Sequence, residues 1–139
     1  MELKQLVMKQ HILLVDDDKD ELTLFEDALD KVPGESGFKC LYAGNGPEAL
    51  DILKFITPDY IFLDINMPLM DGLELLVKIK EEPNTKHVKI YLHSTKITDS
   101  NYRTAMKAGA TGCIRKVGSI QELANELIPV LVPGPFPVS

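Results

Sequence analysis

The chain has 139 residues, 45 % of them hydrophobic and 26 % charged, which suits one domain whose core needs no disulfide or metal staple. Its net charge of −6 makes it a poor non-specific binder of nucleic acid or of an anionic membrane. No apolar stretch approaches a membrane span, Met1 to Gln10 is too polar for a signal peptide, and Cys40 and Cys113 match no zinc or CxxC spacing, so the expected setting is cytoplasmic, with no nucleic-acid or membrane partner.

Residues 1–10 read as a lead-in. His11 to Val15 is a short apolar strand, followed by Asp16-Asp17-Asp18. Asp18 and Glu21 have the spacing of a helix cap, and Leu22, Phe25, Leu29 and Val32 fall on one helical face. Phe38 to Ala43 is a second strand, and Asn45-Gly46-Pro47 opens a second helix. Tyr60 to Leu63 is a third strand, followed by Asp64. Asp71 with Glu74 caps a third helix, whose apolar face reads as Leu73, Leu76, Val77 and Ile79. Val88 to His93 is a fourth strand, followed by Ser94, with a fourth helix starting near Thr98-Asp99. Gly112 to Ile114 is a weak fifth strand, followed by Arg115-Lys116. Ser119 with Glu122 caps a fifth helix, with Ile120, Leu123, Leu127 and Leu131 on one face. Pro129 to Ser139 holds four prolines and no charge, so the fifth helix should not run far into it. The expected domain is residues 11–131, and residues 132–139 form a proline-rich extended tail. Near-continuous apolar strands alternating with amphipathic helices predict an α/β fold, a doubly wound five-stranded parallel sheet with helices on both faces.

In open α/β sheets the ligand site lies beyond the carboxyl ends of the strands. Strand one delivers Asp16 and Asp17 there, and strand three delivers Asp64. These carboxylates should converge if the first and third strands are neighbours, as in the commonest five-stranded order. Like charges so close repel unless a cation neutralises them. Hard oxygen donors that leave room for water suit Mg²⁺. No G-x-G-x-x-G turn follows strand one and no Walker loop occurs in the sequence, so a flavin or nucleotide phosphate would meet carboxylates where it needs amides and cations. Ser94 and Lys116 join the same rim. A metal, a hydroxyl and an ammonium around a carboxylate nucleophile suit phosphoryl transfer.

The stretches Ile12-Leu13-Leu14-Val15-Asp16-Asp17, Asp64-Ile65-Asn66-Met67-Pro68-Leu69-Met70-Asp71-Gly72, and Gly109-Ala110 with Lys116 resemble the receiver domains of two-component response regulators. The resemblance covers about residues 10 to 131. It implies a flavodoxin-like strand order 2-1-3-4-5. It also implies that Asp64 is the phosphoacceptor, that Asp16, Asp17, Asp64 and the backbone carbonyl of Asn66 hold Mg²⁺, and that Ser94 and Lys116 close on the phosphoryl group. Met67, Pro68, Asp71 and Gly72 resemble the loop that shapes the site. The implied partners are a histidine kinase or phosphotransfer protein and an unidentified downstream protein. A homodimer through the face of helix four, strand five and helix five is a candidate assembly. Such a domain phosphorylates itself and slowly dephosphorylates, rather than turning over as a conventional enzyme. The stretches 32–37 and 80–84 resemble stand-alone receivers that pair with phytochrome-type kinases.

Three positions depart from the family pattern. Val117 stands where Pro usually follows the lysine, which predicts a trans Lys116–Val117 peptide, because only proline makes the cis form inexpensive. Cys113 stands where an aromatic usually turns inward on activation, and Thr95 where Ala or Gly usually follows the hydroxyl. The lost aromatic keeps a second reading open, a binding module of the same fold whose output ignores phosphate. A haloacid-dehalogenase-like phosphatase would need an acid two residues after Asp64, where Asn66 stands. His93 reads as a structural histidine with its hydrogen bonds satisfied, and His87 as a surface residue.

Overall fold

The computed structural model describes residues 9–34 and 37–132. Five strands alternate with five helices: β1 (Gln10–Val15), α1 (Asp20–Leu29), β2 (Phe38–Ala43), α2 (Gly46–Leu53), β3 (Tyr60–Leu63), α3 (Gly72–Glu81), β4 (Lys89–Ser94), α4 (Asp99–Lys107), β5 (Gly112–Arg115) and α5 (Ile120–Leu131). The strands form one parallel sheet in the order β2-β1-β3-β4-β5. This is the doubly wound fold expected from the alternation, with its order reversing between β1 and β3.

The strand alternation sorts the core into two layers. Leu13, Val15, Ile61, Leu63, Ile90 and Leu92 face α2, α3 and α4 and pack with Leu53, Leu75, Leu76 and Ile79. Ile12, Leu14, Tyr60, Phe62 and Ile114 face α1 and α5 and pack with Phe25, Leu29, Leu123 and Leu127. All four residues of β3 are buried, as expected of a central parallel strand covered on both faces. Truncating one of its aliphatic side chains, Leu63 or Ile61, to Ala would cost about 2–5 kcal/mol.

Local sequence fixes most helix starts. Asn45 Oδ1 accepts from Glu48 N at 2.8 Å, Asp71 Oδ1 from Glu74 N at 2.8 Å, Thr98 Oγ1 from Asn101 N at 3.0 Å, and Ser119 Oγ from Glu122 N at 3.1 Å. Each cap satisfies a donor that the first turn leaves free. Asp18 differs from the expected cap. Its side chain accepts from Asp20 N at 3.0 Å, and its carbonyl, not its carboxylate, accepts from Glu21 N. It forms a turn that precedes α1.

The core face of α3 is Gly72, Leu75, Leu76 and Ile79, an i, i+3, i+4, i+7 set. Val77, expected on that face, is 45 % exposed, because it lies about 100° round the helix from Leu76. β4 starts one residue later than expected and includes Ser94, and β5 extends to Arg115. α5 continues through Pro129 to Leu131. Proline removes one donor and crowds the carbonyl four residues back. Here the disturbance falls in the last turn, and buried Leu127 and Leu131 bracket it and hold that turn on the sheet. Residues 1–8 of the expected lead-in and 133–139 of the expected tail lie outside the described residues. Cys40 and Cys113 are free, on the opposite edge strands β2 and β5. Among the described residues no helix is long and apolar enough to cross a membrane.

Candidate functional site

Three side chains on the carboxyl rim are placed by one device. Asp16, Asp64 and Lys116 each stand one residue beyond a strand, and their N–H groups continue the parallel ladder. Asp16 N donates to Ala43 O at 3.1 Å, Asp64 N to Val15 O at 2.9 Å, and Lys116 N to Ser94 O at 2.9 Å. Ser94 is itself the last residue of β4. Backbone hydrogen bonds, rather than flexible loops, therefore set the relative positions of the four.

The geometry brings together five of the residues singled out from the sequence. Carboxylate oxygens of Asp16, Asp17 and Asp64 lie within 4.8 Å of one another. Ser94 Oγ donates to Asp64 Oδ1 at 3.3 Å, and Lys116 Nζ reaches Asp64 Oδ2 at 3.2 Å and Asp16 Oδ2 at 2.7 Å. Asn66 enters through its backbone N–H, 3.4 Å from Asp64 Oδ1, and its side chain is exposed. Asp16, Asp64 and Ser94 are buried, whereas Asp17 is exposed at the mouth. Every donor in the carboxylate group is a hard oxygen, a set that fits a small divalent cation with water in its remaining positions.

Burial pushes the Asp16 carboxyl above the usual carboxylate range, even though Lys116 and the Asp18 N–H, 2.9 Å from its Oδ1, pull the other way. Burial also disfavours the Lys116 ammonium, but Asp16 and Asp64 outweigh that cost and raise its pKa. The buried ion pair thus leaves the ammonium firmly charged and in contact with both carboxylates.

Gly72 closes the loop that follows Asp64. Its N–H donates to Ile65 O at 2.8 Å, and a Cβ there would run into the Asp64 carbonyl oxygen. Leu69, in the same loop, takes φ +72° and is exposed. The Lys116–Val117 peptide is trans, as expected without proline. Val117 packs against the α1/α5 layer, and Lys116 still reaches Asp64. Cys113 is half-buried against the opposite layer, and Thr95 is exposed.

Three neighbours of the site had not been assigned to it from the sequence. Tyr42 Oη donates to Asp16 O at 2.5 Å and so steadies the backbone that carries the acidic pair. Its signal was weak, a tyrosine near the end of an edge strand. Glu21, read only as part of a cap, places a carboxylate oxygen within 4.8 Å of donor atoms of Asp16 and His93. His93 is 1 % exposed, and neither ring nitrogen has a hydrogen-bond partner. This corrects the expectation of a satisfied structural histidine. Phe25 packs edge-on to its ring at 5.7 Å. Desolvation, and next the charge of Lys116, push its pKa down to about 4.

A cavity of about 620 Å³ lies between α2 and α3, lined by Leu50, Lys54, Lys78, Glu82 and Asn84. It holds none of the clustered carboxylates, so the chemistry of the rim, not the size of a hollow, identifies the candidate site.

Known proteins carry the same arrangement of elements. The phosphorylated cyanobacterial phytochrome response regulator RcpA superposes with a TM-score of 0.79 at 26 % identity, over 88 % of this chain and 91 % of that one. The chemotaxis protein CheY of Halobacterium salinarum is 35 % identical over 111 residues, 78 % of this chain and 86 % of that protein. The polar-differentiation response regulator DivK of Brucella anthropi is 30 % identical over 83 residues, 60 % of this chain, and the match spans 64 % of that protein's length. The family profile described as the response regulator receiver domain matches residues 12–128, and the chain belongs to that family of phosphorelay signalling domains.

Proposed function

We propose that this receiver accepts a phosphoryl group on Asp64 from a phosphohistidine of a histidine kinase or phosphotransfer protein, and signals through a protein contact in the cytoplasm. The observation that carries the assignment is the divided environment of one carboxylate, with the Ser94 hydroxyl at Asp64 Oδ1 and the Lys116 ammonium at Asp64 Oδ2. Asp16, Asp17, Asp64 and the Asn66 carbonyl would hold Mg²⁺, which when bound supplies positive charge that neutralises the carboxylates and the incoming phosphoryl oxygens.

A carboxylate oxygen of Asp64 attacks phosphorus. The new bond is O–P of an acyl phosphate, and the bond that breaks is P–N of the donor histidine, whose nitrogen takes the electron pair and then a proton. Lys116 follows the charge from the carboxylate to the transferred oxygens, and Ser94 turns its hydroxyl from Asp64 Oδ1 to one of them. Both are charge-assisted contacts, stronger than neutral hydrogen bonds. Asp16 keeps the ammonium on the rim throughout. Water attack on phosphorus later releases phosphate and restores the carboxylate.

With acetyl phosphate and Mg²⁺, the intact mass should rise by one phosphoryl group, about 80 Da. Asp64→Asn should abolish the gain, and EDTA should suppress it. Equal labelling of Asp64→Asn would overturn the assignment.

Cys113, half-buried where the family usually has an aromatic, favours one second reading, a protein-binding module of the same fold whose output is independent of phosphate. A beryllofluoride mimic that bound at Asp64 and moved no amide beyond the pocket would support that reading over phosphate-dependent signalling.

A further inference from the structure

The acidic rim has a second cluster on its α1/α5 side, with a different donor set. One carboxylate oxygen of Asp16, one of Glu21 and a ring nitrogen of His93 all lie within 4.8 Å of one another. They come from three separate elements: the residue after β1, the first turn of α1, and the penultimate position of β4. Asp16 and His93 are buried, and Glu21 is half-buried, between them and solvent.

The histidine marks this as more than an acidic cluster. At 1 % exposure both of its nitrogens lack a protein partner, in a structure where other buried polar side chains are bonded: Thr85 to Ile79 O at 2.7 Å, and Ser94 to Asp64. A buried polar group without a partner costs about 1–3 kcal/mol. An aliphatic residue would avoid that cost beside Phe25. An imidazole nitrogen within 4.8 Å of two carboxylate oxygens accounts for the position if a cation sits between them.

We propose that Asp16, Glu21 and His93 form a second divalent-cation site, joined to the Asp16/Asp17/Asp64 group through Asp16. Two carboxylates and an imidazole give a mixed oxygen and nitrogen set, which favours Zn²⁺, Co²⁺ or Ni²⁺ over Mg²⁺. Three protein ligands leave room for water in the remaining position. Ligands on one tetrahedral zinc ion stand roughly 3.3 Å apart, so closing the cluster needs side-chain rotation rather than backbone movement. The ion competes with Lys116, now 2.7 Å from Asp16 Oδ2. Occupation therefore shifts the ammonium toward Asp64 and links the second site to the state of the first. Glu21 is the entry side, since it alone of the three is partly exposed.

The test is a ZnCl₂ titration of the full chain at neutral pH in saturating MgCl₂, followed by calorimetry and by the imidazole NMR signals. The chain has three histidines, and half-buried His11 and exposed His87 are the competitors. The His93 resonances should move with the first equivalent of zinc. His93→Leu and Glu21→Gln should each weaken that binding by about tenfold or more, and Asp64→Asn should retain it. CoCl₂ should give visible ligand-field bands that His93→Leu removes. A native circular-dichroism spectrum and a cooperative melting transition check that each variant folds. Unchanged His93 signals at saturating ZnCl₂ would overturn the proposal whatever the variants do. Wild-type zinc affinity in His93→Leu, or loss in Asp64→Asn alone, would also overturn it by placing the ion elsewhere.

Discussion

Replacing His93 by Leu in the metal-free protein should stabilise it, and the gain should grow in acid. At neutral pH the variant removes two unpartnered ring nitrogens from the α1/α5 layer, a gain of about 1–3 kcal/mol. The acid term follows from proton linkage. The imidazole titrates near 6.5 in the unfolded chain and is pushed down to about 4 in the fold. Between those values the unfolded chain binds the extra proton, so wild-type stability rises with pH, and it is lost as pH falls from about 6.5 toward 4. The full gap corresponds to about 3.4 kcal/mol at about 1.36 kcal/mol per pH unit, of which roughly 2.5 kcal/mol is reached by about pH 4.5. The groups around the ring are the Asp16 and Glu21 carboxylates and the Lys116 ammonium. Asp16 has the opposite dependence. Its raised pKa makes the fold hold that proton more tightly, so its contribution falls as pH rises above 3.8. Wild type and variant share that dependence, and the difference between them isolates His93. Urea unfolding with EDTA at about pH 7.5 and 4.5 gives the four values. A difference that is equal at both pH values would refute the reasoning. So would an NMR titration placing the His93 ring at or above 6.5, the result expected if Glu21 swings in to pair with the imidazolium.

Mg²⁺ should stabilise the fold by mass action, by about 2.7 kcal/mol at a hundredfold excess over its Kd. Asp17→Asn should lessen that gain, and a wild-type melting curve unmoved by Mg²⁺ would deny the carboxylate site. Gly72→Ala should destabilise by at least about 2 kcal/mol, whereas Gly to Ala in an ordinary helix interior gains up to about 1 kcal/mol. Equal or improved denaturant stability would show that the Asp64 carbonyl is not the obstacle. In amide NMR with a beryllofluoride mimic, Ser94→Ala should shrink the response at α4 and β5 while sparing residues next to Asp64. Cys113→Ser should change it little, and the reverse pattern would reject the Ser94 route.

The sequence made legible what depends on local periodicity and on strand ends. The β2 and β3 bounds, the Asp71 and Ser119 caps, the start of α2 at Asn45-Gly46-Pro47, the shared rim of Asp64, Ser94 and Lys116 and the Lys116–Asp64 pair are found in the structure because each follows from short-range pattern or family motif. Misreadings arose where tertiary packing decides. Leu73, Leu76, Val77 and Ile79 are all apolar, and only the angle at which α3 meets the sheet selects Leu75 over Val77. By contrast, the limit set by Pro129 holds: α5 ends at Leu131, two residues beyond it, where burial of Leu131 secures the last turn. Glu21 and His93 are 72 positions apart, and no local pattern brings them together.

The ladder that positions the site also limits how a change at Asp64 can spread. Ser94 and Lys116, the two side chains on Asp64, are bonded to each other through Lys116 N and Ser94 O at 2.9 Å. The ends of β4 and β5 therefore respond together. If the proposed function holds and the Ser94 hydroxyl leaves Asp64 Oδ1 for a phosphoryl oxygen, the displacement should enter Thr95 and the segment that leads to the Thr98 cap of α4. Of the buried residues α4 offers Ala105 alone, so little packing resists its movement. An inward aromatic could add a second, discrete packing state in β5, but Cys113 has too little volume to create one. The response expected on the proposed function is a graded shift of α4 driven by one hydrogen bond formed in only one state. Such a shift would have a small intrinsic bias, and a partner that bound the displaced α4 would supply the rest by selecting it from the mixture.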